Sequence, residues 1–218
     1  MDYSYNIAEI FYSIQGEGTR AGLPCVFVRF QGCNLRCTWC DTVFAQERHS
    51  GKEMTASQII EQAKEYNCNF IEFTGGEPLL QKNINYLLEH FLSLNFTVAI
   101  ETNGTLDISK LPKDVIKIMD IKCPSSAAHI PYNNDNIAHL TKNDEIKFVI
   151  ANRTDYEWAK KNISNITFSE VKSEILFSPA YSLIEPDKLV EWVLNDNLPI
   201  RFQLQLHKYI WDPERQGV

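Results

Sequence analysis

The chain has 218 residues, a formal net charge of −7 at pH 7, 44% hydrophobic residues and 22% charged residues. This length and composition fit one soluble globular domain, and we expect residues 1–218 to form it. The acidic balance argues against a nucleic-acid partner, because such binding depends on Lys and Arg neutralising phosphates. No apolar run approaches the ~20 residues of a membrane helix, and the first residues carry no signal segment. We therefore expect a small-molecule substrate and no membrane contact.

The predicted strands are apolar, rich in Val, Ile and Phe, and alternate with helical patterns. They lie at Cys25–Phe30, Phe70–Thr74, Thr97–Glu101, Lys117–Lys122, Glu145–Ile150, Glu174–Ser178 and Ile200–Gln205. Such nearly continuous apolar runs are typical of a parallel sheet that is covered on both faces.

The predicted helices lie between some of these strands. They run from a capping box at Thr55 to about Tyr66, over Ile84–Leu94, from a second capping box at Thr154, and from Pro186 to Leu194. Residues 125–143 show no periodicity and are predicted to be a loop. The expected architecture is an α/β fold, an incomplete β/α barrel in which loops replace some helices. Function in such barrels gathers at the carboxyl ends of the strands.

Cys33, Cys37 and Cys40 form a C-x-x-x-C-x-x-C motif, and no fourth cysteine joins them at comparable spacing. A [4Fe-4S] cluster takes one thiolate per iron, so three thiolates would leave one iron free. A structural zinc site needs four ligands, and a disulfide would leave one cysteine unpaired. The count favours an open cluster, although a zinc or iron-sulfur electron-transfer module stays possible. Because the six cysteines do not form a secreted disulfide framework, we expect a cytoplasmic protein.

The cysteine motif resembles the one that defines the radical S-adenosylmethionine (SAM) superfamily, and Thr74-Gly75-Gly76-Glu77-Pro78 resembles its GGEP motif. The resemblance implies that the free iron chelates the amino and carboxylate groups of SAM. An electron from the cluster then splits the sulfonium into methionine and a 5′-deoxyadenosyl radical, while the protein orients the reactants. The residues expected to contact SAM are Trp39, Cys40, Asp41, Gly76, Glu77, Glu101, Lys122 and Ser178. Trp39 could instead only pack beneath the loop, and the turn after Glu101 could be an ordinary one.

Further motifs narrow the resemblance to the 7-carboxy-7-deazaguanine synthase family. They are Phe11-Tyr12-Ser13-Ile14-Gln15-Gly16-Glu17-Gly18, Gly22, Arg29, Cys40-Asp41-Thr42 and Gln205-Leu206-His207-Lys208-Tyr209. The resemblance implies ring contraction of 6-carboxy-5,6,7,8-tetrahydropterin to 7-carboxy-7-deazaguanine with loss of ammonia, in the 7-deazapurine pathway to queuosine. It also implies a homodimer and an external electron donor such as flavodoxin or ferredoxin.

The same resemblance implies a substrate site made of Ile14, Gln15, Gly16, Arg29, Thr74, His207 and the terminal carboxylate of Val218, with Mg²⁺ at Thr42. Arg29 could bind the pterin carboxylate with its planar fork, or it could pair with an acid such as Glu72. His207 could simply close the last strand, and the tail could be an ordinary frayed end. Within the superfamily, an activating enzyme for glycyl-radical enzymes is the alternative function.

Overall fold

The computed structural model describes residues 2–48, 50–128, 130–165 and 173–218. Its strands are β1 (Ser4–Ile14), β2 (Pro24–Phe30), β3 (Lys52–Thr55), β4 (Phe70–Gly75), β5 (Thr97–Thr102), β6 (Ile116–Ile121), β7 (Glu145–Ile150), β8 (Glu174–Pro179) and β9 (Arg201–Phe202). They form one sheet in the order β3-β1-β2-β4-β5-β6-β7-β8-β9. Since β3 and β9 are the two ends of this order, the sheet is an open barrel, and the predicted incomplete β/α barrel is confirmed.

All seven predicted strands are present, and successive members from β2 through β4 to β9 pair in parallel. The last is shorter than predicted, because only Arg201 and Phe202 pair with β8. Two strands, β1 and β3, were not predicted. They pair antiparallel, β1 with β2 and β3 with β1. β1 mixes polar and apolar residues, and β3 buries only Met54, so neither carries the continuous apolar signal of a central strand.

The helices are α1 (Ala56–Lys64), α2 (Ile84–Ser93), α3 (Arg153–Asn165), α4 (Pro186–Asn195) and α5 (His207–Ile210). The capping box that opens α1 is confirmed: Gln58 N donates to Thr55 Oγ1 at 3.3 Å, and Thr55 N donates to Gln58 Oε1 at 2.9 Å. The helix ends at Lys64, two residues before the predicted Tyr66.

The second predicted capping box is wrong. α3 begins at Arg153, and the side chain that caps it is Asn152, whose Oδ1 accepts from Asp155 N at 3.1 Å. Asp155 is fully buried and accepts from the backbone N–H groups of Ser125 and Ala151. These bonds, of which the one from Ser125 is long-range, fix the start of the helix two residues earlier than the local sequence suggests.

The segment predicted as a loop, residues 125–143, contains no α-helix or strand in its described part. It holds part of one short 3₁₀ helix, Pro124–Ser126, and all of another, Asn134–His139. Asn136 is buried and its Nδ2 donates to the carbonyls of Gly104 and Leu106 at 3.0 and 2.8 Å. The segment therefore packs over the turn that follows β5.

The barrel interior is apolar at the amino ends of the strands. A buried floor is formed by Phe11, Cys25, Phe27, Phe70, Ala99, Ile116 and Ile118. Two larger apolar clusters lie between the sheet and the helices. The floor closes one end of the barrel, so the interior opens at the carboxyl ends of the strands. Within the described part of the chain, no helix has the length and apolar content to cross a membrane.

Replacing Asn152 by Ala should lower the free energy of unfolding by about 1 kcal/mol, because the cap of α3 is lost. Replacing the exposed Thr154 by Ala should leave it within about 0.5 kcal/mol, since Ala is the better helix former. Urea unfolding followed by circular dichroism measures both. If Thr154→Ala lowered the free energy of unfolding more than Asn152→Ala, Thr154 and not Asn152 would be the capping residue.

Candidate active site

A cavity of about 510 Å³ opens at the carboxyl ends of the strands. This volume lies in the range that small-molecule sites usually occupy. Its wall contains most of the residues singled out from the sequence: Ile14, Gln15, Gly16, Arg29, Cys33, Cys37, Trp39, Cys40, Asp41, Thr42, Thr74, Gly76, Glu101, Lys122, His207 and Val218. Residues from both ends of the chain thus meet in one place.

The cysteine loop is held by its backbone. Gly32 N donates to Ala45 O at 2.8 Å, Cys33 N to Gln46 O at 3.1 Å, and Cys40 N to Cys37 O at 3.3 Å. Cys33, Cys37 and Cys40 are free and half-buried. Burial raises the pKa values of Cys33 and Cys37, while the nearby Lys122 lowers them.

These thiols fit an open [4Fe-4S] cluster. Cys33, Cys37 and Cys40 line the same cavity, and no other described cysteine lines it. Among the described residues, no three His, Cys, Asp or Glu side chains converge to hold a single metal ion. A closed zinc site therefore has no preformed ligand set, whereas a cubane binds each thiolate to a different iron.

The Gly-Gly turn after β4 supports the cysteine loop from below. Gly76 N donates to Phe30 O at 3.0 Å, and Glu77 N donates to Gly32 O at 2.8 Å. A Cβ atom on Gly76 would lie 2.1 Å from Gly32 O and 2.4 Å from Gly32 C. Glycine is required here because two backbone segments approach each other too closely for a side chain.

Glu77 and Ser178, both predicted to contact SAM, are fully buried and are absent from the cavity wall. The Glu77 carboxylate accepts from Leu79 N, Thr102 Oγ1 and Asn103 N at 3.0, 2.8 and 2.8 Å. Burial raises the pKa of Glu77 to about 7, although these donors oppose the rise. Its side chain thus ties the turn after β4 to the end of β5. From the end of β8, Ala180 and Tyr181 reach the wall instead of Ser178.

A buried lysine that the sequence analysis did not single out organises the charges of the cavity. Lys147, 5% exposed in its side chain, contacts Glu17 Oε2 at 3.0 Å, Asp120 Oδ2 at 3.3 Å and the Glu101 carboxylate. Burial lowers its pKa, but the three carboxylates raise it well above the usual value. Lys122 adds a second contact to Asp120 at 2.9 Å. The available signal was a charged residue inside the apolar strand β7.

The segment after β1 crosses the open side of the barrel. Glu17 accepts from Gln205 Nε2 at 3.1 Å and from Gln203 Nε2 at 3.3 Å, in addition to its contact with Lys147. Leu206 N donates to Gly16 O at 3.0 Å. The two terminal motifs therefore contact each other through glutamine and glutamate side chains and through the backbone.

Arg29 pairs with Glu9, not with Glu72: its Nε donates to Glu9 Oε1 at 2.8 Å. Among the described residues, no hydrogen bond of its two terminal nitrogens is found, and Arg29 lines the cavity. Across the sheet, Arg29 is in register with Thr74. A fork of this kind matches a carboxylate in planar geometry.

Asp41 and His207 connect the C-terminal helix to the rest of the site. Lys208 Nζ lies 3.0 Å from Asp41 Oδ2, and this pair outweighs burial and lowers the pKa of Asp41 to about 2. Burial lowers the pKa of His207, whose ring packs against Gly16.

Trp39 and Thr42 lie on the cysteine loop. Trp39 packs against Val149, Ala151 and Ala180 and also lines the cavity. Thr42 Oγ1 lies 3.7 Å from Cys40 Sγ.

The profile of the Radical SAM superfamily matches residues 27–193. A protein from Koribacter versatilis named 7-carboxy-7-deazaguanine synthase is 39% identical, over 97% of this chain and 99% of that protein. One of the same name from Chlorobaculum tepidum is 43% identical, over 98% and 97%.

The chain belongs to the radical SAM superfamily and, within it, to the 7-carboxy-7-deazaguanine synthase family. The crystal structure of QueE from Escherichia coli has a similar fold, with a TM-score of 0.78 at 21% identity over 94% of this chain and 95% of that one. Membership of the superfamily implies a [4Fe-4S] cluster and SAM as cofactors.

Replacing Gly76 by Ala should prevent the cluster from assembling, because the new Cβ would collide with the Gly32 carbonyl and displace the cysteine loop. Iron and sulfide analysis after anaerobic reconstitution should show that most of the iron is lost. Gly22→Ala is the control: nothing lies within 4 Å of its Cβ position, so only its φ of +88° is unfavourable. Full iron content in the Gly76 variant would contradict this account of the turn.

Proposed function

We propose that this protein converts 6-carboxy-5,6,7,8-tetrahydropterin to 7-carboxy-7-deazaguanine with release of ammonia, as a radical SAM lyase of the 7-deazapurine pathway to queuosine. One observation carries the proposal. The cysteine loop, Arg29 and the two terminal motifs all contribute to the wall of a single cavity. The near full-length similarity to proteins named for this product supports it.

The cofactor site lies at the mouth of the barrel. We assign Cys33, Cys37 and Cys40 as ligands of the [4Fe-4S] cluster, which, together with SAM, supplies the hydrogen-abstracting radical. Gly76 and the ends of β5 and β6, at Glu101 and Lys122, lie on the same wall and are the proposed SAM contacts, with Trp39 and Asp41 on the cysteine loop. For Glu77 and Ser178, whose side chains are buried, the proposed role becomes support of the wall.

The substrate site lies deeper, between β1, β2 and β4. Arg29 would hold the pterin carboxylate, and Thr74 lies next to it in register. Gln15 N donates to Leu23 O and Gln15 O accepts from Gly22 N, both at 2.8 Å. Since both backbone groups of Gln15 are occupied, and Gly16 O already accepts from Leu206 N, the proposed backbone contacts of this segment reduce to Ile14 and the N–H of Gly16.

Mg²⁺, the dimer and the electron donor are also part of the proposal. The hydroxyl of Thr42 is a hard oxygen ligand of the kind that Mg²⁺ prefers, and the substrate carboxylate and water would complete the coordination. His207 and the terminal carboxylate of Val218 line the cavity and would contact the substrate. The strands β3 and β9 are free edges of the sheet in the described chain, and a homodimer would cover such edges. Flavodoxin or ferredoxin would deliver the electron.

The central test is anaerobic turnover. Cluster-loaded protein, supplied with SAM and a reductant, should convert the pterin to the deazaguanine and release one ammonia per product, measured by mass spectrometry and an ammonia assay. Cys37→Ala should abolish turnover, because the cluster loses a ligand, whereas Cys68→Ala should not, since Cys68 lies outside the cavity. Cleavage of SAM without conversion of the pterin would refute the proposal. Radical formation on a partner glycine would favour the activating-enzyme alternative instead.

Replacing Arg29 by Ala should raise the KM for the pterin about 100-fold, because two charge-assisted hydrogen bonds are lost, at ~1.5 kcal/mol each. The iron content should stay unchanged, since Arg29 does not touch the cysteine loop backbone. Arg201→Ala, which removes an exposed ion pair with Glu174, is the control and should behave as the wild type. An unchanged KM in Arg29→Ala would remove Arg29 from the site.

A further inference from the structure

Glu72 is a buried carboxyl group of the cavity wall to which neither the cysteine chemistry nor the carboxylate site gives a role. It lies on β4, is 2% exposed, and lines the cavity. Gln15 Nε2 donates to Glu72 Oε2. Among the described residues, no lysine, arginine or histidine forms an ion pair with it.

Gln15 presents its amide in one fixed orientation. Its Oε1 accepts from Glu17 N at 3.0 Å, so Nε2 must point to Glu72. The backbone of Gln15 is fixed as well, by the two bonds to Gly22 and Leu23. The position of the Glu72 carboxyl group is therefore set before any ligand binds.

The surroundings favour the neutral form of Glu72. The buried cation Lys147 is already shared by Glu17, Glu101 and Asp120. Burial and the charge of Glu101, followed by that of Glu17, raise the pKa of Glu72 well above its usual value, although Lys147 opposes the rise. A neutral carboxyl group has one O–H donor on Oε1 and a carbonyl oxygen that can accept a second bond besides that from Gln15.

The depth of Glu72 matches the far end of a pterin. Glu72 lies two residues before Thr74 on β4, which places it about 6–7 Å deeper in the barrel than the level of Arg29. With the substrate carboxylate at Arg29, the fused rings extend inward and their pyrimidine end reaches this level. The wall beside it is apolar, formed by the stacked rings of Phe11 and Phe27, whose centroids are 5.0 Å apart.

We propose that Glu72 is a specificity-determining residue that binds the lactam edge of the substrate, donating to the ring carbonyl and accepting from the adjacent ring N–H. This inference rests on the proposed function. A carboxyl group and a lactam are complementary because each presents one donor beside one acceptor. The Gln15 amide holds the carboxyl group in the orientation that this pairing needs.

The lactam is present in the pterin and in the deazaguanine, because the contraction changes only the other ring. A contact with it stabilises substrate, transition state and product alike. Such uniform binding affects KM and leaves kcat unchanged. Loss of the contact should therefore weaken the affinity for the product as much as the affinity for the substrate.

The test compares Glu72→Gln with Glu72→Leu in cluster-loaded enzyme. The amide of Gln keeps one donor and one acceptor, so KM and the product Kd should stay within about threefold of the wild type. Leu removes both, so both constants should rise together by about 10- to 100-fold, with kcat within about threefold. Calorimetric titration with 7-carboxy-7-deazaguanine measures the product Kd without turnover. Glu174→Leu, the same change on β8 of the same sheet but outside the cavity, is the control.

Two results would overturn the inference. One is a Gln variant as impaired as the Leu variant, which would mean that an ionised carboxylate is needed. The other is a Leu variant with normal constants. If Glu72→Leu does not fold, the inference is tested by infrared difference spectra of the wild type minus Glu72→Gln. They should show a protonated carboxyl band at neutral pH that shifts when product binds, and its absence would overturn the inference. Wild-type turnover of the pterin tests the proposed function separately, so the two failures are distinguishable.

Discussion

The rest of the site depends on the ion pairs that the ammonium group of Lys147 forms. This group joins three carboxylates from three parts of the chain: Glu17 after β1, Glu101 on β5 and Asp120 on β6. Removing the cation would leave Glu17 and Glu101 without a cationic partner in the described part of the chain, whereas Asp120 would keep Lys122, and breaking a buried ion pair typically costs about 3–5 kcal/mol. The same contact ties the N-terminal segment to the barrel. A sheet that is open on one side thus gains a wall for the cavity from the segment that carries Glu17.

The mouth of the cavity and its deeper part are held in place by two different kinds of contact. At the mouth, the cysteine loop lies on the Gly-Gly turn, backbone against backbone, so its position follows from hydrogen bonds that need no side chain. Deeper in the cavity, contacts between side chains fix the positions of the polar groups: Glu9 holds Arg29, and Gln15 holds Glu72. In the proposed function, the cluster and SAM would lie at this mouth and the substrate deeper in the barrel.

Much of the barrel followed from local patterns, because a buried parallel strand is apolar along its whole length. The strands β2 and β4 to β9 were predicted for this reason. β1 and β3 were missed because their pairing depends on distant partners, β1 on β2 and β3 on β1. The start of α3 was misplaced because Asn152 and Thr154 both carry a capping oxygen. The choice between them rests on Asp155, whose bond from Ser125 N joins residues 30 positions apart and is tertiary.

The sequence by itself determined the chemical kinds of group: the three thiols, the glycine turn, the arginine fork and the terminal motifs. Their spacing along the chain is a local property, and ligand chemistry depends on residue type. Only the tertiary structure decided which groups face one another. It showed that Glu77 and Ser178 are buried outside the cavity wall, that Lys147 contacts three carboxylates, and that Gln15 donates to Glu72. The reason is physical: a charge or hydrogen bond depends on distances of a few ångströms between residues far apart in the chain, and these distances exist only after the sheet has formed.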